Sequence, residues 1–124
     1  MDETESVDLH RQELRRGSVV LASLLALQTP GYGYGLLEAL ERAGAPVAAN
    51  TLYPLLRRLE RQGMLTSEWD TSESRPRKFY RTSRDGVRLA RALRREWQAI
   101  DAALTRLDPE SDHHTDPDSE GQEQ

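Results

Sequence analysis

Apolar residues recur along this chain at spacings that change from one stretch to the next. From about Gln12 to Gln28, Leu14, Val19, Val20, Leu21, Leu24, Leu25 and Leu27 cover most of a helix's circumference, the pattern of a helix packed on several sides. Thr29-Pro30-Gly31 should end it, because proline removes a donor and restricts the residue before it. A second helix is predicted from Tyr32 or Tyr34 to Ala43, with Leu36, Leu37 and Leu40 as its buried stripe and Gly44 as its stop. A third runs from about Ala49 to Gln62 and closes at Gly63. The segments MLTSEW and RKFYRTS, separated by the polar DTSESRP, read as a β-hairpin with a long loop. Ser83 then caps a helix through about Leu107, with Asp85 in its first turn. On that helix Leu89, Leu93, Trp97, Ile100, Leu104 and Leu107 are spaced 4, 4, 3, 4, 3, the seam of a helix that packs lengthwise against another. No internal repeat is visible.

The third helix divides into two faces. At 100° per residue Leu52, Leu55, Leu56 and Leu59 fall within about 100° of one another. Opposite them lie Asn50, Pro54, Arg57 and Arg61, flanked by Tyr53 and Arg58. Asparagine and arginine on an exposed helix face suit phosphates and base edges in a major groove, although a solvated amphipathic helix has the same pattern. The hairpin that follows adds Arg75, Arg77, Lys78 and Arg81, interleaved with Phe79 and Tyr80. Helix, helix, recognition helix and basic hairpin is the order of a winged helix.

The glycine-rich GYGYG at 31–35 invites comparison with a phosphate loop. Such a loop needs a strand before it and a helix after it, whereas a helix precedes this one. The structural reading is that Gly31 permits a tight turn, while Gly33 and Gly35 let the second helix start close against its neighbours. Either tyrosine is then placed to offer a hydroxyl to a phosphate.

Composition changes the picture in one respect. The formal net charge is −4, but residues 1–9 hold four acids and no base, and residues 108–124 hold seven acids and no base. Residues 10–107 therefore carry all 17 basic residues against 21 − 11 = 10 acids, a balance of +7. A basic centre between acidic tails suits a polyanion. Both tails are expected to be disordered, the C-terminal one for lack of any apolar side chain. With 36% hydrophobic residues the chain supports one small core, steadied by a partner subunit. It has no cysteine, which removes disulfides and thiolate metal sites. The longest apolar run, Val19 to Leu27 around Ser23, is too short to span a membrane, and the acidic start is unlike a signal peptide. A cytoplasmic protein is expected. His113 and His114 with Asp112 and Asp116 lack a packed second shell, so no metal or other cofactor is expected. No nucleophile with an apposed base can be named, so no enzyme activity is expected.

GYG(x)L at 33–37, NTLYPLLRRLERQGMLTSEW at 50–69 and PRKFYRTSRDG at 76–86 together resemble the PadR family of bacterial transcriptional repressors, over about residues 14–107. The resemblance implies a mainly α fold with a small β-hairpin: a winged helix-turn-helix at 10–83 and a dimerisation helix at 84–107. It implies double-stranded DNA as partner, with recognition-helix positions Asn50, Thr51, Tyr53 and Arg57, a phosphate-contacting Tyr34 and a wing of Arg75, Arg77 and Lys78. The exposed-face argument adds Arg61. Where family members often have Ser-Pro, this chain has Ala48-Ala49, which leaves the recognition helix without an obvious cap. The single C-terminal helix matches the smaller members.

The seam Leu89, Leu93, Trp97, Ile100 and Leu104 is longer than the winged domain can cover, which points to a homodimer on an inverted DNA repeat. Leu14 and its neighbours are expected to help bury the mate's long helix. Trp97, mid-seam, has two readings: dimer core, or the wall of an apolar cavity for a flat hydrophobic effector. The competing reading of the whole chain is a winged module whose basic wing docks on an acidic protein.

Overall fold

The computed structural model describes residues 2–114 of the 124-residue chain. The elements run α1 (Glu3–Arg16), α2 (Val19–Ala26), β1 (Gly31–Tyr32), α3 (Gly33–Arg42), α4 (Ala49–Arg61), β2 (Leu65–Asp70), β3 (Arg77–Thr82) and α5 (Arg84–Leu107), followed by a 3-10 turn at Pro109–His114. This is the expected mainly helical chain with a small sheet.

The N-terminal residues depart from expectation. Residues 3–9, anticipated as a loose acidic tail, form the start of α1. Asp2 caps the helix by accepting from the Glu5 amide at 2.8 Å, Glu3 and Glu5 occupy the first turn, and Arg15 and Arg16 the last. Both charge placements favour the helix dipole. The helix expected from Gln12 to Gln28 is also two helices. At Gly17-Ser18 the Ser18 hydroxyl bonds back to the Arg15 carbonyl at 2.7 Å, a local alternative to continuing the ladder. Of the second expected tail, residues 109–114 take up the 3-10 turn and residues 115–124 lie outside the described residues.

The core is built mainly from leucines: Leu24, Leu27, Leu36, Leu40, Leu52, Leu56, Leu59 and Leu65 are all buried. Tyr80 on β3 joins them. The sheet is antiparallel with order β1-β3-β2. The two-residue β1 was not predicted, being too short to show a period. Thr82 fastens the sheet to α2: its amide donates to the Leu27 carbonyl at 2.9 Å and its hydroxyl to the Leu24 carbonyl at 2.7 Å, satisfying carbonyls that a helix end leaves open.

Gly44 and Gly63 follow α3 and α4 with φ of 89° and 80°. They let Ala45 donate to Leu40 and Met64 donate to Leu59, both at 2.8 Å, the left-handed helix stop that favours glycine. Gly33 lies so close to α4 that an added Cβ would overlap the Tyr53 ring, as the sequence suggested. Nothing crowds Gly31 or Gly35, neither has a positive φ, and Gly31 pairs in β1, so the roles expected of those two are not seen.

The described residues form two compact units divided between Arg91 and Ala92, within α5. Ser83 caps α5 by accepting from the Gly86 amide at 3.0 Å, and Gly86 and Ala90 are buried. Leu89 and Leu93 are half-buried. In the second unit Trp97, Ile100, Leu104 and Leu107 are all exposed. No helix among the described residues is long and apolar enough to cross a membrane.

Ser23 is completely buried, and its hydroxyl has no hydrogen-bond partner among the described residues. Ser23→Ala removes that unsatisfied group and raises helix propensity, so it is expected to stabilise the chain by about 1 kcal/mol. The check is a urea titration, with a higher midpoint at unchanged slope.

Candidate nucleic-acid interface

With Leu52, Leu55, Leu56 and Leu59 buried, the other side of α4 is turned outward. Asn50, Thr51, Pro54, Arg57, Arg58 and Arg61 are exposed, while Tyr53 is half-buried beside Gly33. Pro54 lies within the helix, and the carbonyl it leaves unpaired, that of Asn50, is on the same exposed side. Ala48 is the N-cap and supplies no side-chain bond, so the missing cap noted in the sequence is real.

The strand register sorts the wing into two sides. Leu65, Ser67 and Trp69 stand opposite Thr82, Tyr80 and Lys78; Thr66, Glu68 and Asp70 stand opposite Arg81, Phe79 and Arg77. The first set contains the buried Leu65, Tyr80 and Thr82, which identifies it as the side facing the helices. At its outer end Lys78 reaches Glu60 of α4, Nζ to Oε1 2.7 Å. The Ser67 hydroxyl donates to the other oxygen of the same carboxylate. Lys78, expected to face DNA, is thus used to fix the wing to α4. Arg57 lies near enough to act electrostatically on Lys78 and Tyr80.

On the second side the tyrosines of the GYGYG stretch meet the wing. The Tyr32 and Tyr34 rings stack 5.8 Å apart with 7° between their planes. Phe79 meets Tyr32 edge-on at 5.1 Å. The Arg77 guanidinium lies 4.8 Å from the Tyr32 ring centre, close enough for a cation–π contact. It also donates to the Tyr34 hydroxyl at 2.9 Å and pairs with Glu73 at 2.8 Å. The Tyr32 hydroxyl donates to Asp70, and Asp70 accepts from the Ser72 amide and hydroxyl at 3.0 and 2.6 Å. Tyr34 and Arg77, distant in sequence, therefore form one hydrogen-bonded pair, and Arg75 is exposed beyond them on the hairpin.

Sequence reasoning missed three contributors, Glu60, Ser67 and Asp70, while Tyr32, expected to offer its hydroxyl to a phosphate, donates it to Asp70 instead. Each acts across the fold, on a partner that only the wing register brings within reach. Among the described residues no group of three metal-ligating side chains converges. The side chains of His113, His114, Asp112 and Asp116 lie outside the described residues.

Several comparisons bear on this arrangement. The family model described as "Transcriptional regulator PadR-like family" matches residues 20–92. The transcriptional regulator Rv3488 of Mycobacterium tuberculosis is 38% identical over 76 residues, covering 60% of this chain and 71% of that protein. The crystal structure of a PadR family transcriptional regulator from Eggerthella lenta superposes with a TM-score of 0.81 at 42% identity, over 91% of this chain and 96% of that one. A PadR-like transcription factor from Bacteroides fragilis gives a TM-score of 0.68 at 28% identity, over 79% and 97% of the two chains.

The wing's carboxylates make its attachment sensitive to acid. Lys78 and the Ser67 hydroxyl hold Glu60 below its ordinary value. Hydrogen bonds from Ser72 and Tyr32 hold Asp70 at about 2. A lowered folded value means stability that is present above the unfolded carboxylate range of about 4 and is lost as pH falls through the folded value. The thermal midpoint should therefore fall between about pH 4 and pH 2, and Asp70→Asn should make that fall shallower, as followed by circular dichroism at a series of pH values.

Proposed function

The chain belongs to the PadR-like family of transcriptional regulators, and from that premise we propose that it is a homodimeric repressor that binds an inverted DNA repeat through α4 and the wing. The observation that carries this reading is the outward side of α4: Arg57, Arg58 and Arg61 are exposed and take no part in any ion pair among the described residues. Three uncompensated guanidinium groups on one helix favour a polyanion. Asn50 and Thr51, exposed in the first turn, supply the amide and hydroxyl that read base edges in a major groove. The Tyr34–Arg77 pair and Arg75 take phosphates on the wing side. Such a regulator works in the cytoplasm, with its DNA.

The dimer rests on α5. Trp97, Ile100, Leu104 and Leu107 are 45, 47, 57 and 77% exposed, an apolar seam that a second copy covers most simply. Leu14 of α1, 70% exposed, adds to the apolar surface available to the mate. Two copies related by a two-fold axis place their recognition helices about one helical turn of DNA apart. Trp97 on that seam packs as dimer core or, in the second reading, walls an apolar cavity for a flat hydrophobic effector that would alter the spacing of the two helices and weaken operator binding.

The test is fluorescence anisotropy of duplex DNA from upstream of the chain's own gene against a shuffled duplex, over a salt series. A preference of about 10³ or more, falling steeply with salt, supports the reading. Equal weak binding to both overturns specificity and favours a protein partner. Arg57→Ala should cost about 1–3 kcal/mol at particular base pairs only. Leu104→Glu should convert the dimer to monomer in sedimentation velocity, since it places a charge in an apolar seam. A promoter fusion that falls silent when the native chain is supplied distinguishes repression from activation.

A further inference from the structure

The exposure of Trp69 is unexplained by the core and by the seam. On the helix-facing side of the wing, burial decreases outward along β2: Leu65 is 1% exposed, Ser67 half-buried and Trp69 63% exposed. The alternation that buries Leu65 thus continues past the last support that α4 offers, the Glu60 contact to Ser67 and Lys78. The indole is therefore held on the α4 side of the wing but left uncovered. Its cross-strand neighbour is Lys78, whose Nζ lies 6.0 Å from the ring centre, at the outer range of a cation–π contact.

We propose that Trp69 is a DNA-contacting residue, its indole packing on the deoxyribose faces of the strand that runs along the α4 side of the wing. A duplex backbone alternates anionic phosphates with apolar sugar faces, and this corner of the protein sets the Lys78 ammonium beside an uncovered indole. The contact is independent of sequence, because every nucleotide presents the same sugar; it positions the duplex between α4 and the wing and leaves reading to α4. The inference rests on the DNA-binding reading above.

In the full chain, Trp97→Phe leaves Trp69 as the sole tryptophan, and sedimentation velocity first checks that this seam variant keeps the assembly of the native chain. A labelled generic duplex of about 30 base pairs, three helical turns, is added at low salt while duplex anisotropy and tryptophan emission are recorded together. Rising anisotropy should be accompanied by a change in Trp69 emission and by protection of the indole from iodide quenching. In the otherwise native chain, Trp69→Ala should weaken generic and operator duplexes alike by about 10-fold. Its slope against salt should be unchanged, because an indole displaces no counterions. Trp69→Phe should keep most of the affinity, and the thermal midpoint should be the same in all, as the side chain is exposed. If anisotropy rises while Trp69 emission and iodide access stay constant, or if Trp69→Ala binds within about twofold of the native chain, the contact is disproved and the DNA-binding reading stands. If the native chain moves the anisotropy of no duplex, both fail together.

Discussion

The burial of Leu52, Leu55, Leu56 and Leu59 sets the rotation of α4, and most of the remaining arrangement depends on it. Each leucine so buried contributes about 1.5–3 kcal/mol, while turning the helix by a single residue, 100°, would expose part of the stripe and drive an arginine toward the core. The orientation of Asn50, Arg57 and Arg61 is therefore imposed from behind, by apolar side chains that never meet a ligand. Pro54 survives mid-helix for the same reason, since the backbone group it leaves unpaired lies on the outward side.

The wing is under a different constraint. A two-stranded hairpin is marginal by itself, so its position relative to α4 has to be fixed by side chains. Glu60 does this on one side, accepting from Lys78 and Ser67. On the other, Tyr32 joins Asp70 and stacks with Tyr34, while Arg77 lies across both rings. Cations and tyrosines that look like free ligand-binding groups are thereby spent in part on holding the wing. Arg57, Arg61 and Arg75 stay uncommitted among the described residues. The basic residues thus divide into those that position the surface and those that remain open to a polyanion.

The large apolar side chains left exposed fall in different settings. Trp97, Ile100, Leu104 and Leu107 lie on one helical seam, a spacing that a second helix covers. Trp69 is on a strand, beside Lys78. The two tryptophans have similar chemistry but different neighbours, an apolar helical seam for Trp97 and the Lys78 ammonium for Trp69.

The sequence by itself determined the elements whose physics is local. α3, α4, the hairpin and α5 were legible because helical and strand periods repeat within a few residues, and because Gly44, Gly63 and Ser83 stop or cap in place. The same local rules, applied too coarsely, misjudged the N-terminus: its acids were read as a solvated tail, whereas Asp2, Glu3 and Glu5 cap and favour a helix, and Ser18 divides what periodicity had joined. The outward set on α4 was also legible, since one helix fixes both its faces. The tertiary structure alone decided which wing residues remain open. That Lys78 turns to Glu60, that Arg77 joins Tyr34, and that Trp69 is left uncovered all follow from a strand register and from contacts between residues 18 and 43 positions apart. No local period encodes such pairs, because they exist only once the leucine core has brought the wing against α4 and β1.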